Sequence, residues 1–355
     1  MSTVHVVVPD GIDDPSSPSG GNTYDRRVCD GLTTLGWSVY EHAVRGSWPR
    51  PEAASLTSLG EVIRGIPDGS VVLLDGLVAS TARDVLVPEA RRLRLIVLVH
   101  MPLGHRPAGE QLRDIRTRER AVLGAATALI TTSGWTRGRL IELYRLHGEH
   151  IHVAEPGVDA AAPVRGTASG GALLCVAAVT FEKGHDVLLD ALQSISDLPW
   201  ECVCVGSRDR APAFAADLRR RAVTAGLQAR VRFTGVQTGA ALENSYATAD
   251  VTVLASRAET YGMVITESLA RALPVIATDV GGVREALGHG SGERRPGLLV
   301  VPDDPAALGG ALRAWLGDAA LRGRLRHAAR TRRTSLRRWP ATASVISDVL
   351  AAASR

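Results

Sequence analysis

Residues 251–278 read VTVLASRAETYGMVITESLARALPVIAT. The stretch opens on an apolar run, Val251–Ala255, and crosses a polar loop from Ser256 to Gly262. It continues with helical spacing over Met263–Ala272 and closes on a second apolar run, Val275–Thr278. Continuous apolar runs, rather than alternating ones, mark strands covered on both faces. A strand, a helix and a second strand in this order predict one βαβ unit of a parallel sheet.

The same alternation runs outward in both directions. Towards the N-terminus, strands are predicted at Leu173–Val179, Glu201–Gly206 and Val231–Thr234, and one more follows at Leu298–Val301. An earlier series covers Val4–Pro9, Ser38–His42, Val71–Asp75, Leu95–Val99, Ala128–Thr132 and Ile151–Val153. Helical patterns fill the gaps, among them Asn22–Leu35, Arg113–Ala126, His185–Ile195, Ala211–Ala225, Ala240–Ala249, Pro305–Leu316 and Ala319–Arg330. Between the two series, residues 156–171 read PGVDAAAPVRGTASGG, a composition suited to a hinge. The expected fold is therefore α/β, with two doubly wound domains facing across a cleft. The expected boundaries are residues 1–163, 164–338, and a final helix over 339–355. Ligands of such sheets bind beyond the carboxyl ends of the strands, so chemistry is expected in the loops that follow them.

The composition agrees with a globular chain. Of 355 residues, 45% are hydrophobic and 22% charged, which excludes wholesale disorder. The net charge of +4 is spread along the chain and argues for neither nucleic acid nor membrane. No apolar run approaches the span of a bilayer, and Val4–Val8 is too short for a signal peptide. A cytoplasmic protein with at most peripheral membrane contact is expected. Cys29, Cys175, Cys202 and Cys204 form no CxxC pair and read as buried free thiols.

The basic residues are unequal: of 41, Lys183 is the one lysine. A lysine retained where nearly every other base is arginine suggests a position that needs a compact ammonium. It lies in Glu182-Lys183-Gly184-His185, just before a predicted helix, where it can deliver a point charge to a phosphate. Ser19-Gly20-Gly21-Asn22 also opens a helix. Its glycines let backbone N–H groups approach an anion, although a plain turn with Asn22 as N-cap reads equally well. It is not a GxGxxG fingerprint, so a nicotinamide site is unsupported. In the loop of residues 256–262, Glu259 precedes the helix and Glu267 lies about one turn into it. A carboxylate accepts two hydrogen bonds and suits the vicinal hydroxyls of a sugar or a ribose. The backbone of Thr260, Tyr261, Gly262, Met263 and Val264 can meet a diphosphate. No cluster has metal-ligand spacing: His147, His150 and His152 flank a strand start and read as surface residues. The arginines of residues 330–338 read as a solvated helix end. His105 and Arg106 lie in a loop that can meet an acceptor, although a plain surface loop is the stronger reading.

With these residues in view, the chain resembles the retaining GT-B glycosyltransferases of family 4. The resemblance rests on Glu259 and Glu267, separated by seven intervening residues, followed by Ala270-Arg271-Ala272-Leu273-Pro274-Val275-Ile276-Ala277-Thr278 and Gly281-Gly282. Glu182-Lys183-Gly184-His185, Ser133-Gly134-Trp135-Thr136 and Pro156-Gly157-Val158-Asp159 also fit. It implies a GT-B fold and a transferase that moves a hexose from a nucleotide diphosphate sugar, UDP before GDP, to a hydroxyl acceptor. It implies no cofactor and no bound metal. The partners it implies are the donor and a small-molecule, glycan or lipid acceptor. By resemblance, Glu259 accepts donor-sugar hydroxyls, Glu267 holds the ribose and Lys183 binds the diphosphate. Gly20 and Gly21 present amides nearby, and His100, in Leu98-Val99-His100-Met101-Pro102, helps orient the sugar. One departure stands out. Where the family usually has Gly-Arg ahead of the lysine motif, this chain has Ala177 and Ala178. Arg208 and Arg257 are the nearby candidates to replace that cation. The rival readings are a sugar-nucleotide-binding protein without turnover and a GT-B UDP-sugar epimerase.

Overall fold

The computed structural model describes residues 2–105, 112–290 and 294–355. They form two compact units. The first comprises the residues up to Asp14, Pro18–Gly157 and Arg337–Arg355; the second comprises Pro15–Ser17 and Val158–Leu336.

Each unit is built on a six-stranded, wholly parallel sheet. In the first, β1 (Thr3–Pro9), β2 (Ser38–Val44), β3 (Val71–Asp75), β4 (Arg94–Val99), β5 (Ala128–Thr131) and β6 (Ile151–Val153) lie in the order β2-β1-β3-β4-β5-β6. In the second, β7 (Ala172–Val176), β8 (Glu201–Val205), β9 (Val231–Gly235), β10 (Val251–Leu254), β11 (Val275–Thr278) and β12 (Gly297–Val300) lie in the order β12-β11-β10-β7-β8-β9. All twelve predicted strands form, within a few residues of their expected ends. The apolar runs explain why: every residue of β3, β5, β10 and β11 is buried, as a sheet with helices on both faces requires.

Strand order decides where each unit can bind. It reverses between β1 and β3 in the first unit and between β7 and β10 in the second, and both pairs are directly hydrogen-bonded neighbours. Such reversals part the loops that leave the two strands and open a crevice between them. In the second unit those loops carry Lys183 and Glu259. In the first they lead to Gly20 and to Asp75.

The helix Trp339–Ala353 packs within the first unit against the helix Gly20–Thr34, with Ile346 and Leu350 fully buried. The two backbones approach closely at Gly31, where an added Cβ would sit 2.5 Å from Ala343 Cβ. Trp37 Nε1 donates to Ser347 Oγ at 2.9 Å along the same seam. The arginines near residue 330 differ from a solvated helix end. Arg332 donates to the Leu287 carbonyl, and Arg333 donates to the carbonyls of Ala270 and Ala161, so their charge is spent on helix and loop termini. No helix among the described residues is long and apolar enough to cross a membrane.

The seam at Gly31 generates a packing test. Gly31→Ala should destabilise the protein by about 1–3 kcal/mol through overpacking, although alanine is the better helix former. Combining it with Ala343→Gly should recover part of that loss, read as a non-additive double-mutant cycle in urea unfolding. Strict additivity would mean the two helices do not meet there.

Candidate active site

The second unit's site is assembled by two loops leaving adjacent strands. After β7 the chain makes a single 3₁₀ turn, Phe181–Lys183, and Gly184 then takes the left-handed conformation (φ 64°) before the helix His185–Gln193. Gly184 is required there for a second reason. A Cβ on it would lie 1.9 Å from the carbonyl oxygen of Ala255, the residue that follows β10. The lysine loop is therefore pressed against the start of the glutamate loop, and Arg257 N donates to the Glu182 carbonyl at 2.8 Å.

This contact brings Lys183 and Glu259 together. Lys183 Nζ donates to Glu259 Oε1 at 2.6 Å, and Ser256 Oγ donates to the same oxygen at 2.8 Å. The ammonium is partly exposed and the carboxylate largely buried. The loop then enters the helix Met263–Ala270 through Gly262 (φ 92°), and no described side chain caps that helix. The amides at Met263 and Val264 thus head an uncapped N-terminus next to the ion pair. Tyr261 turns away: it is buried in a cluster with Ile265, Leu269 and Val283. Thr260 is held from behind. Gly281 and Gly282 press on the loop so closely that a Cβ on Gly281 would meet Glu259 O at 1.7 Å, and Gly282 N donates to that oxygen at 3.1 Å.

Glu267 takes a different partner. Its Oε2 accepts from Tyr246 Oη at 2.9 Å, and the guanidinium of Arg271 lies 4.2 Å over the Tyr246 ring. Burial raises the Glu267 carboxyl above its usual range, although the Tyr246 hydrogen bond and Arg271 oppose the shift. The two acids are therefore held by different elements.

Of the two arginines offered for the missing cation, Arg257 is already committed. It donates to both carboxylate oxygens of Asp186 at 2.9 Å, to Asp303 and to the Phe181 carbonyl, and it lies 3.8 Å over the Phe181 ring. Burial alone would raise Asp186, but this guanidinium holds its carboxyl below the usual range. Arg208, beyond β8, makes no hydrogen bond or ion pair with a described residue.

In the first unit, Gly20 and Gly21 open the helix Gly20–Thr34, as expected, but the N-cap is Ser19, not Asn22. Ser19 Oγ accepts from Asn22 N at 3.1 Å, and Asn22 Nδ2 donates to the Gly11 carbonyl. A β-region residue one step before the first helical one has the geometry to cap, and Asn22 is already inside the helix. His100, just past β4, lies against Gly21; a Cβ there would be 3.5 Å from its Cδ2. Beneath it are two acids that spacing did not reveal. His100 Nε2 is 2.7 Å from Asp25 Oδ1 and 3.8 Å from Asp75 Oδ2, and both acids are buried. Asp75 ends the apolar strand VVLLD, and Asp25 lies one turn after Gly21. An acid closing a buried strand was the available signal.

The loop after His100 is anchored by buried Glu119. It accepts from the amides of Leu103 and Gly104 and from the hydroxyls of Ser80 and Tyr144. His105 stacks edge-on against Trp135, with ring centroids 4.9 Å apart. Arg106 lies outside the described residues.

All four cysteines are buried free thiols. Cys175, Cys204 and His185 bring their polar atoms within 4.8 Å of one another, a convergence of neighbouring strands and a helix invisible in linear spacing. A groove of about 710 Å³, lined by Thr167, Trp200 and Arg230, lies at the opposite, amino ends of β7 and β8 and is remote from this chemistry.

Comparison with known proteins follows from this geometry. Residues 169–332 match the glycosyl transferases group 1 family. The chain is 34% identical over 253 residues to the D-inositol 3-phosphate glycosyltransferase of Jonesia denitrificans, which covers 66% of this chain and 58% of that relative's length. The chain thus spans under two thirds of this curated relative. Among solved structures, the sucrose-phosphate synthase of Thermosynechococcus elongatus superposes with a TM-score of 0.81 at 21% identity, covering 99% of both chains. Anabaena HepE in complex with UDP-glucose superposes at 0.75 and 15% identity, covering 99% and 100%. These likenesses show the GT-B fold in this chain.

Because the glutamate loop is seated on glycine backbone, Gly281→Ala should dislodge it. The left-handed φ of 55° and the clash with Glu259 O both oppose a side chain. Thermal unfolding should shift down, and amide exchange should quicken at residues 259–261. Unchanged exchange there would show that the loop does not rest on Gly281.

Proposed function

We propose that this chain, whose residues 169–332 match the glycosyl transferases group 1 family, is a metal-independent retaining transferase of family 4. In this reading it moves a hexose from a nucleoside diphosphate sugar, UDP before GDP, to a hydroxyl acceptor. The observation that carries the reading is the Lys183–Glu259 pair at the reversal of strand order, beside an uncapped helix N-terminus. HepE holding UDP-glucose in the same fold supports the choice of donor. No observation favours a binding protein without turnover or an epimerase.

The chemistry breaks an anomeric C–O bond and leaves a nucleoside diphosphate. Negative charge grows on the leaving phosphate, and positive charge grows on the sugar. Lys183 and the amides of Met263 and Val264 face the first charge; fixed donors of this kind are worth most where charge develops. Arg208 supplies the second cation in place of the absent arginine at Ala178. Glu259 accepts sugar hydroxyls once the diphosphate draws Lys183 away, and Glu267 accepts from the ribose. The departing phosphate takes the acceptor proton on the same face.

Two measurements test this. With UDP-glucose and GDP-mannose tried in turn against a panel of polyol and glycoside acceptors, Lys183→Ala should lower kcat/KM by about 10²–10³-fold. Unchanged kinetics would remove Lys183 from the site. Turnover should also survive exhaustive EDTA treatment, because the ammonium and the helix end carry the phosphate charge. Loss of activity restored by Mg²⁺ or Mn²⁺ would overturn metal independence.

A further inference from the structure

The cluster beneath Gly21 contains more acid than a single histidine needs for orientation. Asp25 comes from the helix Gly20–Thr34, Asp75 from the carboxyl end of β3 and His100 from the end of β4. The reversal of strand order between β1 and β3 brings the first two together, and β4 is hydrogen-bonded to β3 throughout. Both carboxyls point at one ring nitrogen, His100 Nε2, at 2.7 and 3.8 Å. The Tyr24 ring lies edge-on to the imidazole at 5.2 Å. Its hydroxyl donates to the Ala154 carbonyl at 2.7 Å, and burial keeps it neutral. Arg337 is the cation that acts on Tyr24.

Two buried carboxylates so close cannot both stay charged without a cation between them. We propose that Asp25 and Asp75 together hold His100 as an imidazolium, so that its free Nδ1–H is a fixed donor, and that Asp25 is the positioning residue that sets this charge. The consequence is chemical. A neutral ring bound to Asp25 through Nε2–H would present Nδ1 as an acceptor, able to meet only a donor group of a ligand. The imidazolium presents Nδ1–H and selects a ligand oxygen with a lone pair, such as a sugar hydroxyl, carboxylate or phosphate oxygen. Nδ1 makes no hydrogen bond with a described residue, so it is available for that role.

The electrostatics agree with the geometry. Burial alone would lower His100, but the charge and hydrogen bond of Asp25, aided by Asp75, push it up to about 9. Burial and the Asp25 charge push Asp75 up to about 8, and the two acids share a hydrogen bond. At neutral pH the cluster therefore favours a protonated His100 ring beside a protonated Asp75 carboxyl. Both shifts are upward, so raising the pH strips the protons of Asp75 and His100.

The role of that donor in sugar transfer rests on the proposed function, but the charge state does not. It is read on the full-length protein without donor, by long-range ¹⁵N–¹H correlation of ¹⁵N-histidine protein, with His100 assigned through His100→Gln. The expected result is two protonated ring nitrogens at pH 7.5 and a titration midpoint well above 6.5. Asp25→Asn should lower that midpoint by about one to three pH units, and Asp25→Glu should restore most of it. A wild-type midpoint at or below 6.5 overturns the proposal, even if a variant fails to fold. So do a midpoint unmoved in a folded Asp25→Asn protein and ring signals that shift on EDTA treatment. A donor-hydrolysis assay on the same samples reports separately on transfer.

Discussion

Two loops meet in the second unit because Gly184 has no side chain. Its backbone lies against the Ala255 carbonyl at a distance no other residue tolerates. That contact joins the exit of β7 to the exit of β10, two strands far apart in the chain and adjacent in the sheet. Everything chemical in the unit follows from it. The Arg257 amide closes on Glu182, Lys183 reaches Glu259, and the helix Met263–Ala270 begins at the same place. From below, Gly281 and Gly282 apply the same principle to the glutamate loop.

The charges around this contact divide into two kinds. Arg257 is locked between Asp186, Asp303 and the Phe181 carbonyl, and it acts as a brace. Among the described residues, the Lys183 ammonium has one partner, and it is partly exposed. A partly buried pair of this kind contributes little net stability, because desolvation offsets much of the attraction. It is therefore a pair whose breaking costs the fold little, as the proposed exchange with a ligand requires. Glu267, tied to Tyr246 on a different element, is insulated from that exchange.

The first unit repeats the architecture with different electrostatics. Its loops carry no lysine, and three of its acids are buried: Asp25 and Asp75 under His100, and Glu119 under the loop that follows. Buried acids of this kind persist only where donors surround them. Glu119 has four, all of them amides or hydroxyls. The Asp25–Asp75 pair has the His100 imidazole, and Asp75 also accepts from the Leu77 amide.

The strands were legible in the residues because a doubly covered strand must be apolar throughout, as in VVLLD, VTVL and VIAT. The second-unit motifs were legible because a lone lysine before a glycine and two acids flanking a helix start are local patterns. Other features were not local. Ser19 caps instead of Asn22, since the helix starts two residues earlier than its apolar period suggests. Asp25 and Asp75 are fifty residues apart, and nothing in the chain's linear order says that they share one nitrogen of His100. The amino-acid sequence by itself determined the parallel strands, the helices between them and the residue types able to bind a sugar diphosphate, since these depend on neighbours within a few positions. Only the tertiary structure decided which acid meets which cation and where the buried protons lie. Strand order sets those encounters, and a low-dielectric interior sets their strength.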